Sequence, residues 1–171
     1  MKMSKIMSAF PHDPSYCDLN QERARSPLPP SSAASTDSPT VLIVDDDSVF
    51  RLLEARALRQ QGYNVLQAGC ADEALHLAVT TATLDLLLTD FHMPKVDGME
   101  LVRQFRTLRP ETPVLMVSSS LPAVQNKVKE WERFAVLEKS SSFEELLEKV
   151  RTLLAEVAPL PFPQGRITND K

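Results

Sequence analysis

Residues 86–102 read LLLTDFHMPKVDGMELV, and this stretch decides the fold class. Its apolar start predicts a strand over residues 85–89 that is covered on both faces, because no polar residue alternates with the leucines. Pro94 stops the strand from continuing, and Gly98 permits a tight entry into the helix that follows. That helix repeats apolar residues at helical spacing and ends before Pro110. A strand, a polar loop and a helix in this order are one unit of an α/β fold.

The same unit recurs along the chain. Short apolar runs predict four more strands, at residues 41–44, 65–66, 114–117 and 134–137, and helical patterns separate or follow them. Because strand and helix alternate and crossovers are right-handed, we expect an α/β fold built on a doubly wound, five-stranded parallel sheet. The helices are predicted at about 48–61, at 71–80, after Gly98, around Val124, Val128 and Trp131, and over 143–157.

Apolar spacing also predicts which helix residues pack in the core. In the first helix the expected face is Val49, Leu52, Leu53 and Ala57, and in the second it is Ala74, Leu75, Ala78 and Val79. Gly62 is placed to end the first helix, and Ser142 with Glu145 forms a capping box at the start of the last one.

Composition sets the domain boundaries. Residues 26–39 read SPLPPSSAASTDSP, which cannot bury enough apolar surface to offset its ordering entropy. We therefore expect residues 1–38 to be a disordered Pro/Ser-rich leader and residues 39–158 to be one folded domain. Prolines at 159, 161 and 163 end regular structure, so residues 159–171 are expected to be a Pro-rich tail.

Charge and hydropathy exclude several classes of function. The 171 residues carry a formal net charge of -4 and no cluster of lysine and arginine, so direct binding to nucleic acid is not expected. No apolar run approaches the length of a membrane span, and the first ten residues lack the apolar core of a signal peptide. These observations favour a cytoplasmic protein. The two cysteines have no CxxC spacing that would indicate a zinc site.

Polar residues follow the predicted strands at the point where each strand ends. Asp45 and Asp46 come after the first strand, Asp90 after the third, Ser118 after the fourth and Lys139 after the fifth. In an open parallel sheet these ends face one crevice, so the side chains are expected to meet there. Clustered carboxylates raise one another's pKa unless a hard divalent cation neutralises them. The pattern predicts a site for Mg²⁺, or Mn²⁺, and a phosphoryl group.

Four segments together resemble the receiver domain of bacterial response regulators, most nearly the single-domain chemotaxis type. They are VLIVDDD, LLLTDFHMPKVDGMELV, PVLMVSS and VLEK, and the resemblance covers residues 40 to about 157. It implies the flavodoxin-like (βα)5 receiver fold for residues 39–158. It also implies a role for each site residue: Asp90 as phosphoacceptor; Asp45, Asp46, Asp90 and the backbone carbonyl of His92 as metal ligands; Ser118, Ser119 and Lys139 as phosphoryl-binding and switch residues.

The resemblance implies a signalling domain and not an enzyme, although such a domain assists its own phosphorylation and dephosphorylation. Its phosphoryl donor would be a sensor histidine kinase or a histidine phosphotransfer protein of a two-component phosphorelay. Its output would be contact with a downstream protein through the fourth predicted helix, the fifth strand and the fifth helix, with a homodimer as a further option.

Two positions depart from the family pattern, and two other functions stay open. Val136 stands where the family usually has an aromatic residue, and Ser140 stands where it usually has a proline after the lysine. These changes leave open a receiver-like interaction module that works without phosphorylation.

The first strand end also fits the DxDxV motif of haloacid-dehalogenase-type phosphatases, in which Asp45 would be the nucleophile and Asp47 the general acid.

Overall fold

The computed structural model describes residues 38–94, 96–120 and 131–156 of the chain. All of them belong to one compact unit that begins at Thr36. The predicted leader up to residue 37, residues 121–130 of the predicted fourth helix, and the predicted tail at 159–171 lie outside the described residues. Trp131, which the prediction included in that helix, is described and is not helical. The elements are β1 (Thr40–Val44), α1 (Ser48–Gln60), β2 (Asn64–Ala68), α2 (Ala71–Thr80), β3 (Leu86–Asp90), α3 (Gly98–Leu108), β4 (Val114–Ser118), β5 (Phe134–Glu138) and a final helix (Phe143–Ala155).

The five strands form one parallel sheet in the order β2-β1-β3-β4-β5, which confirms the predicted fold class. The chain leaves β1 toward β2 on one side and returns to β3 on the other side. The strand order therefore reverses between β1 and β3, and a crevice opens outside their carboxyl ends. Val44 pairs with Thr89 in register, so Asp45 and Asp90 both lie at this crevice.

Side chains that alternate along the strands fill two apolar layers, one on each face of the sheet. One layer joins the strands to α2 and α3 and contains Leu42, Leu87 and Phe105. The other joins them to α1 and the final helix and contains Ile43, Leu58 and Val150. Because both faces are covered, the residues of β1, β3 and β4 are buried throughout, as the uninterrupted apolar runs predicted.

The predicted core face of α1 is wrong. Its buried residues are Glu54, Ala55 and Leu58, whereas Val49 and Leu52 are more than half exposed and Leu53 is exposed too. The helix carries apolar residues on two sides, and the predicted side has more leucines. The side that faces the sheet is set instead by the crossover from β1 to β2. In α2, Ala74 and Ala78 are buried as predicted, but Val79 lies on the exposed side.

Side-chain caps fix where the helices begin. The Asp47 carboxylate accepts the amide hydrogens of Val49 (2.8 Å) and Phe50 (3.3 Å), which starts α1 directly after the acidic run. Ser142 accepts the amide hydrogen of Glu145, as the capping box predicted. Gly62 follows α1 with φ of +88°, a conformation that glycine adopts without strain. Among the described residues, no helix is long and apolar enough to cross a membrane.

Candidate functional site

Three carboxylates meet where β1 and β3 end. Oxygen atoms of Asp45, Asp46 and Asp90 all lie within 4.8 Å of one another. Asp45 and Asp90 are buried, while Asp46 is exposed and faces the opening of the crevice. The structure thus brings together three of the five residues that the sequence placed at strand ends.

Lys139 joins this cluster from the end of β5. Its Nζ donates to Asp90 Oδ2 at 2.5 Å and to Asp45 Oδ2 at 3.1 Å. The backbone holds the lysine in place, because the Lys139 amide donates to the Ser118 carbonyl oxygen at 2.9 Å and extends the pairing of β4 with β5. One ammonium therefore bridges two buried carboxylates that belong to different strands.

The charges in the crevice are not balanced. Burial raises the pKa of Asp45; the Asp47 amide and Lys139 oppose that rise, and the negative charge of Asp90 adds to it. For Lys139, burial disfavours the ammonium, but hydrogen bonds to Asp90 and Asp45 outweigh burial and raise its pKa above the ordinary value. Three carboxylates face one ammonium, so the site carries excess negative charge that a cation would offset.

Backbone contacts position the two buried carboxylates. Asp45 Oδ1 accepts the Asp47 amide hydrogen at 2.8 Å, and the Arg51 guanidinium donates to the Asp45 carbonyl oxygen. Asp90 Oδ1 accepts the His92 amide hydrogen at 3.2 Å. Each carboxylate thus has one oxygen bound to the backbone and the other bound to Lys139.

Gly98 allows the loop after β3 to fold back on Asp90. Its amide donates to the Phe91 carbonyl oxygen at 2.9 Å, and a Cβ at this position would lie 2.3 Å from the Asp90 carbonyl oxygen. No side chain fits in that space. The glycine of the DFHMPKVDG loop is therefore required by close approach to the residue that the family pattern makes the phosphoacceptor.

The two serines at the carboxyl end of β4, Ser118 and Ser119, differ in burial. Ser118 is buried at the end of the strand, and its hydroxyl exchanges hydrogen bonds with the backbone of Ser120, at 3.2 Å to the carbonyl oxygen and 3.1 Å from the amide. Ser119 and the His92 side chain are exposed. In this state, no hydrogen bond between described residues joins the Ser118 hydroxyl to Asp90 or Lys139.

Two residues of α1 belong to the site although the sequence did not single them out. The Phe50 ring lies 4.9 Å from Lys139 Nζ, measured to the ring centroid. Glu54 is buried one turn later, and burial together with the negative charge of Asp45 raises its pKa to about 8. Their spacing could have indicated them, because Phe50, Glu54 and Leu58 stand at positions i, i+4 and i+8 and therefore share one face of the helix.

The donor set fits a hard divalent cation. Carboxylate oxygens are the ligands that Mg²⁺ and Mn²⁺ take, and the surplus negative charge would be neutralised by such an ion. An ammonium beside the same carboxylates could pair with the oxygens of a transferred phosphoryl group. The arrangement suits phosphoryl transfer to a carboxylate, with positioning and charge neutralisation as the contribution of the protein.

Comparisons with known proteins agree with this geometry. The family model of the response regulator receiver domain matches residues 41–151. The response regulator MprA of Mycolicibacterium vanbaalenii is 34% identical over 121 residues, which are 70% of this chain and 52% of MprA. The autoinducer 1 sensor kinase/phosphatase LuxN of Vibrio campbellii is 34% identical over 99 residues, 58% of this chain and 12% of LuxN. The chain thus spans about half or less of these relatives.

Solved structures show the same fold. The chemotaxis protein CheY4 of Vibrio cholerae matches with a TM-score of 0.63 at 29% identity, covering 68% of this chain and 98% of that structure. The receiver domain of the hybrid histidine kinase CckA matches with a TM-score of 0.58 at 32% identity, covering 67% and 98%. With its parallel sheet, its carboxylate cluster and the lysine that bridges it, the chain belongs to the response regulator receiver domain family of two-component signalling.

Proposed function

We propose that this receiver domain accepts a phosphoryl group on Asp90. The observation that carries the proposal is the Lys139 ammonium, which bridges Asp90 and Asp45 at the crevice where the sheet order reverses. The bridge holds the acceptor carboxylate beside a positive charge, and the exposed carboxylate of Asp46 lies next to it. Lys139 bonds Asp45 as well, and the family pattern is what assigns the acceptor role to Asp90.

The reaction is an in-line displacement at phosphorus. One Asp90 oxygen attacks the phosphoryl group of a phosphohistidine; the new P–O bond forms as the P–N bond breaks, and the imidazole leaves and takes up a proton. Lys139 moves its hydrogen bond from the Asp90 carboxylate to a phosphoryl oxygen. The Ser118 hydroxyl leaves Ser120 to donate to another phosphoryl oxygen, and exposed Ser119 borders the same space.

A divalent cation belongs to this function. Asp45, Asp46, Asp90 and the backbone carbonyl of His92 are the groups that would hold Mg²⁺ or Mn²⁺. When bound, the ion supplies the positive charge that lets an anionic carboxylate approach an anionic phosphoryl group. The residues keep their own tasks: Asp45 orients Lys139, and the His92 amide orients Asp90.

The partners follow from the family and are part of the proposal. A sensor histidine kinase or a histidine phosphotransfer protein would donate the phosphoryl group, and a downstream protein would bind the face that includes β5 and the final helix. A homodimer through that face is a further option. We place the protein in the cytoplasm, with residues 1–38 and 159–171 as extensions of the receiver domain.

One observation argues against the phosphatase alternative. The Asp47 carboxylate, which would be the general acid, accepts the amide hydrogens of Val49 and Phe50 as the cap of α1. Both bonds go to one oxygen, Oδ1, and they hold the side chain at the start of α1, so a helix cap accounts for the acid at this position without a catalytic role.

Intact-mass measurement after exposure to a small phosphodonor, with Mg²⁺ and with EDTA, tests the proposal. We expect one added phosphoryl group that requires Mg²⁺, its loss in Asp90→Asn, and its retention in the matched control Asp72→Asn on the exposed side of α2. Labelling that persists in Asp90→Asn but disappears in Asp45→Asn would support the phosphatase assignment. No labelling of the unmodified chain under any condition would support the phosphorylation-independent module.

A further inference from the structure

The first turn of α1 places an aromatic ring against the lysine of the site. Lys139 Nζ lies 4.9 Å from the centroid of the Phe50 ring, within the distance at which a cation is attracted to an aromatic face. The same ammonium is bound to Asp90 and Asp45. It is therefore held by two carboxylates and a ring, which come from three different elements.

Core packing does not account for Phe50. Neither apolar layer of the described residues includes it, and its side chain is 42% exposed. A single exposed apolar side chain is common on a protein surface, but this ring lies over a charged group of the site. The contact that the structure provides is the Lys139 ammonium.

The backbone that carries the ring is fixed from the site itself. The Asp47 carboxylate accepts the Phe50 amide hydrogen at 3.3 Å, and the Asp47 amide donates to Asp45 at 2.8 Å. The acidic run, the start of α1 and the ring are thus connected through consecutive hydrogen bonds. These bonds fix the main chain at Phe50, from which the ring reaches Lys139.

We propose that Phe50 is a positioning residue for phosphoryl transfer: its ring holds the Lys139 ammonium against Asp90 and limits the access of water to it. The inference rests on the function proposed above, because it concerns the same lysine. Lys139 has a long, flexible side chain, and restraining it before the reaction lowers the cost of bringing its charge to the transferred phosphoryl oxygens. Phe50 acts through the lysine and not on the reacting atoms.

Two substitutions distinguish the effect of the aromatic face of Phe50 from the effect of its apolar bulk. Phe50→Leu keeps an apolar side chain but removes the aromatic face, whereas Phe50→Tyr keeps the face. A cation–π contact at a partly exposed site corresponds to about a two- to five-fold effect. We therefore expect Phe50→Leu to be phosphorylated about two- to five-fold more slowly by acetyl phosphate with Mg²⁺, and Phe50→Tyr to retain the rate. Leu52→Ala, an exposed apolar residue on the same helix, serves as the matched control and keeps the rate of the unmodified chain.

A spectroscopic measurement tests the contact without any phosphorylation. The Phe50 ring current should move the proton resonances of the Lys139 ε-methylene upfield, in the full chain without Mg²⁺ or phosphodonor. The shift should persist in Phe50→Tyr and Leu52→Ala and disappear in Phe50→Leu. A change of fold would move resonances throughout the spectrum, so the loss is attributed to the ring only when core resonances stay in place.

The two measurements distinguish this inference from the proposed function. If the unmodified chain takes up no phosphoryl group, the proposed function fails, and the ring-current shift alone decides whether Phe50 holds the lysine. If the unmodified chain is phosphorylated but Phe50→Leu reacts equally fast, the positioning role is refuted. Absence of the upfield shift in the unmodified chain refutes the contact itself.

Discussion

Glu54 makes the stability of this domain depend on pH in a way that one substitution should remove. Its side chain is buried in α1, 8% exposed, and no hydrogen bond to its carboxyl comes from the described residues 38–94, 96–120 and 131–156. Burial and the negative charge of Asp45 raise the pKa of Glu54 to about 8, from an ordinary value of 4.5. We expect Glu54→Gln, which keeps the shape and cannot ionise, to stabilise the domain increasingly as pH rises.

The sign follows from proton binding. Between pH 4.5 and pH 8 the unfolded chain has an ionised Glu54, whereas the folded domain keeps its proton, so folding takes up a proton. Stability contributed by the protonated side chain is complete below pH 4.5 and is lost as pH rises toward 8. Each rise of one pH unit lowers the free energy of unfolding by at most about 1.4 kcal/mol, and the rise from pH 4.5 to pH 8 lowers it by at most about 5 kcal/mol in total.

Urea unfolding at pH 6, 7 and 8 in the presence of EDTA measures the effect. The free energy of unfolding of Glu54→Gln minus that of the unmodified chain should grow by about 1 kcal/mol for each pH step. Asp45 titrates in both proteins, so the difference isolates Glu54. Glu148→Gln, on the exposed side of the final helix, is the matched control and should show no such growth. A Glu54→Gln difference that stays constant from pH 6 to pH 8 would refute the reasoning.

Two further predictions concern the loop after β3 and the acidic run. Gly98→Ala should lower the free energy of unfolding by about 1–3 kcal/mol and slow phosphorylation of Asp90, because its Cβ would overlap the Asp90 carbonyl oxygen. The control in the same urea titration is Gly69→Ala, whose Cβ would meet only a side chain at 3.5 Å. Asp46→Ala should weaken Mg²⁺ binding on the order of tenfold or more in calorimetric titration. Asp47→Ala should mainly remove the α1 cap and lower the free energy of unfolding by about 1 kcal/mol. Equal losses of Mg²⁺ affinity in the two variants would show that the ligands are misassigned.

The sequence by itself determined the fold class and the main residues of the site. Short uninterrupted apolar runs between turn residues are typical of strands covered on both faces, and such strands in alternation with helices form a parallel sheet whose carboxyl ends share one edge. That rule alone places Asp45, Asp90 and Lys139 together, although 94 residues separate the first from the last. Local chemistry likewise predicted the cap at Ser142, since capping depends on residues a few positions apart.

Tertiary structure alone decided which side of α1 faces the sheet and therefore what surrounds the lysine. The helix has apolar residues on two sides, so periodicity permits either face, and the count of leucines favoured the one that the structure leaves exposed. Burial of Glu54 and contact of Phe50 with Lys139 depend on how the crossover from β1 to β2 rotates the helix over the sheet. This rotation is settled by the packing of Ala55 and Leu58 against β1, β3 and the final helix, which are contacts between segments far apart in the chain. Local patterns do not contain that information, because the energy that selects one face belongs to the assembled core.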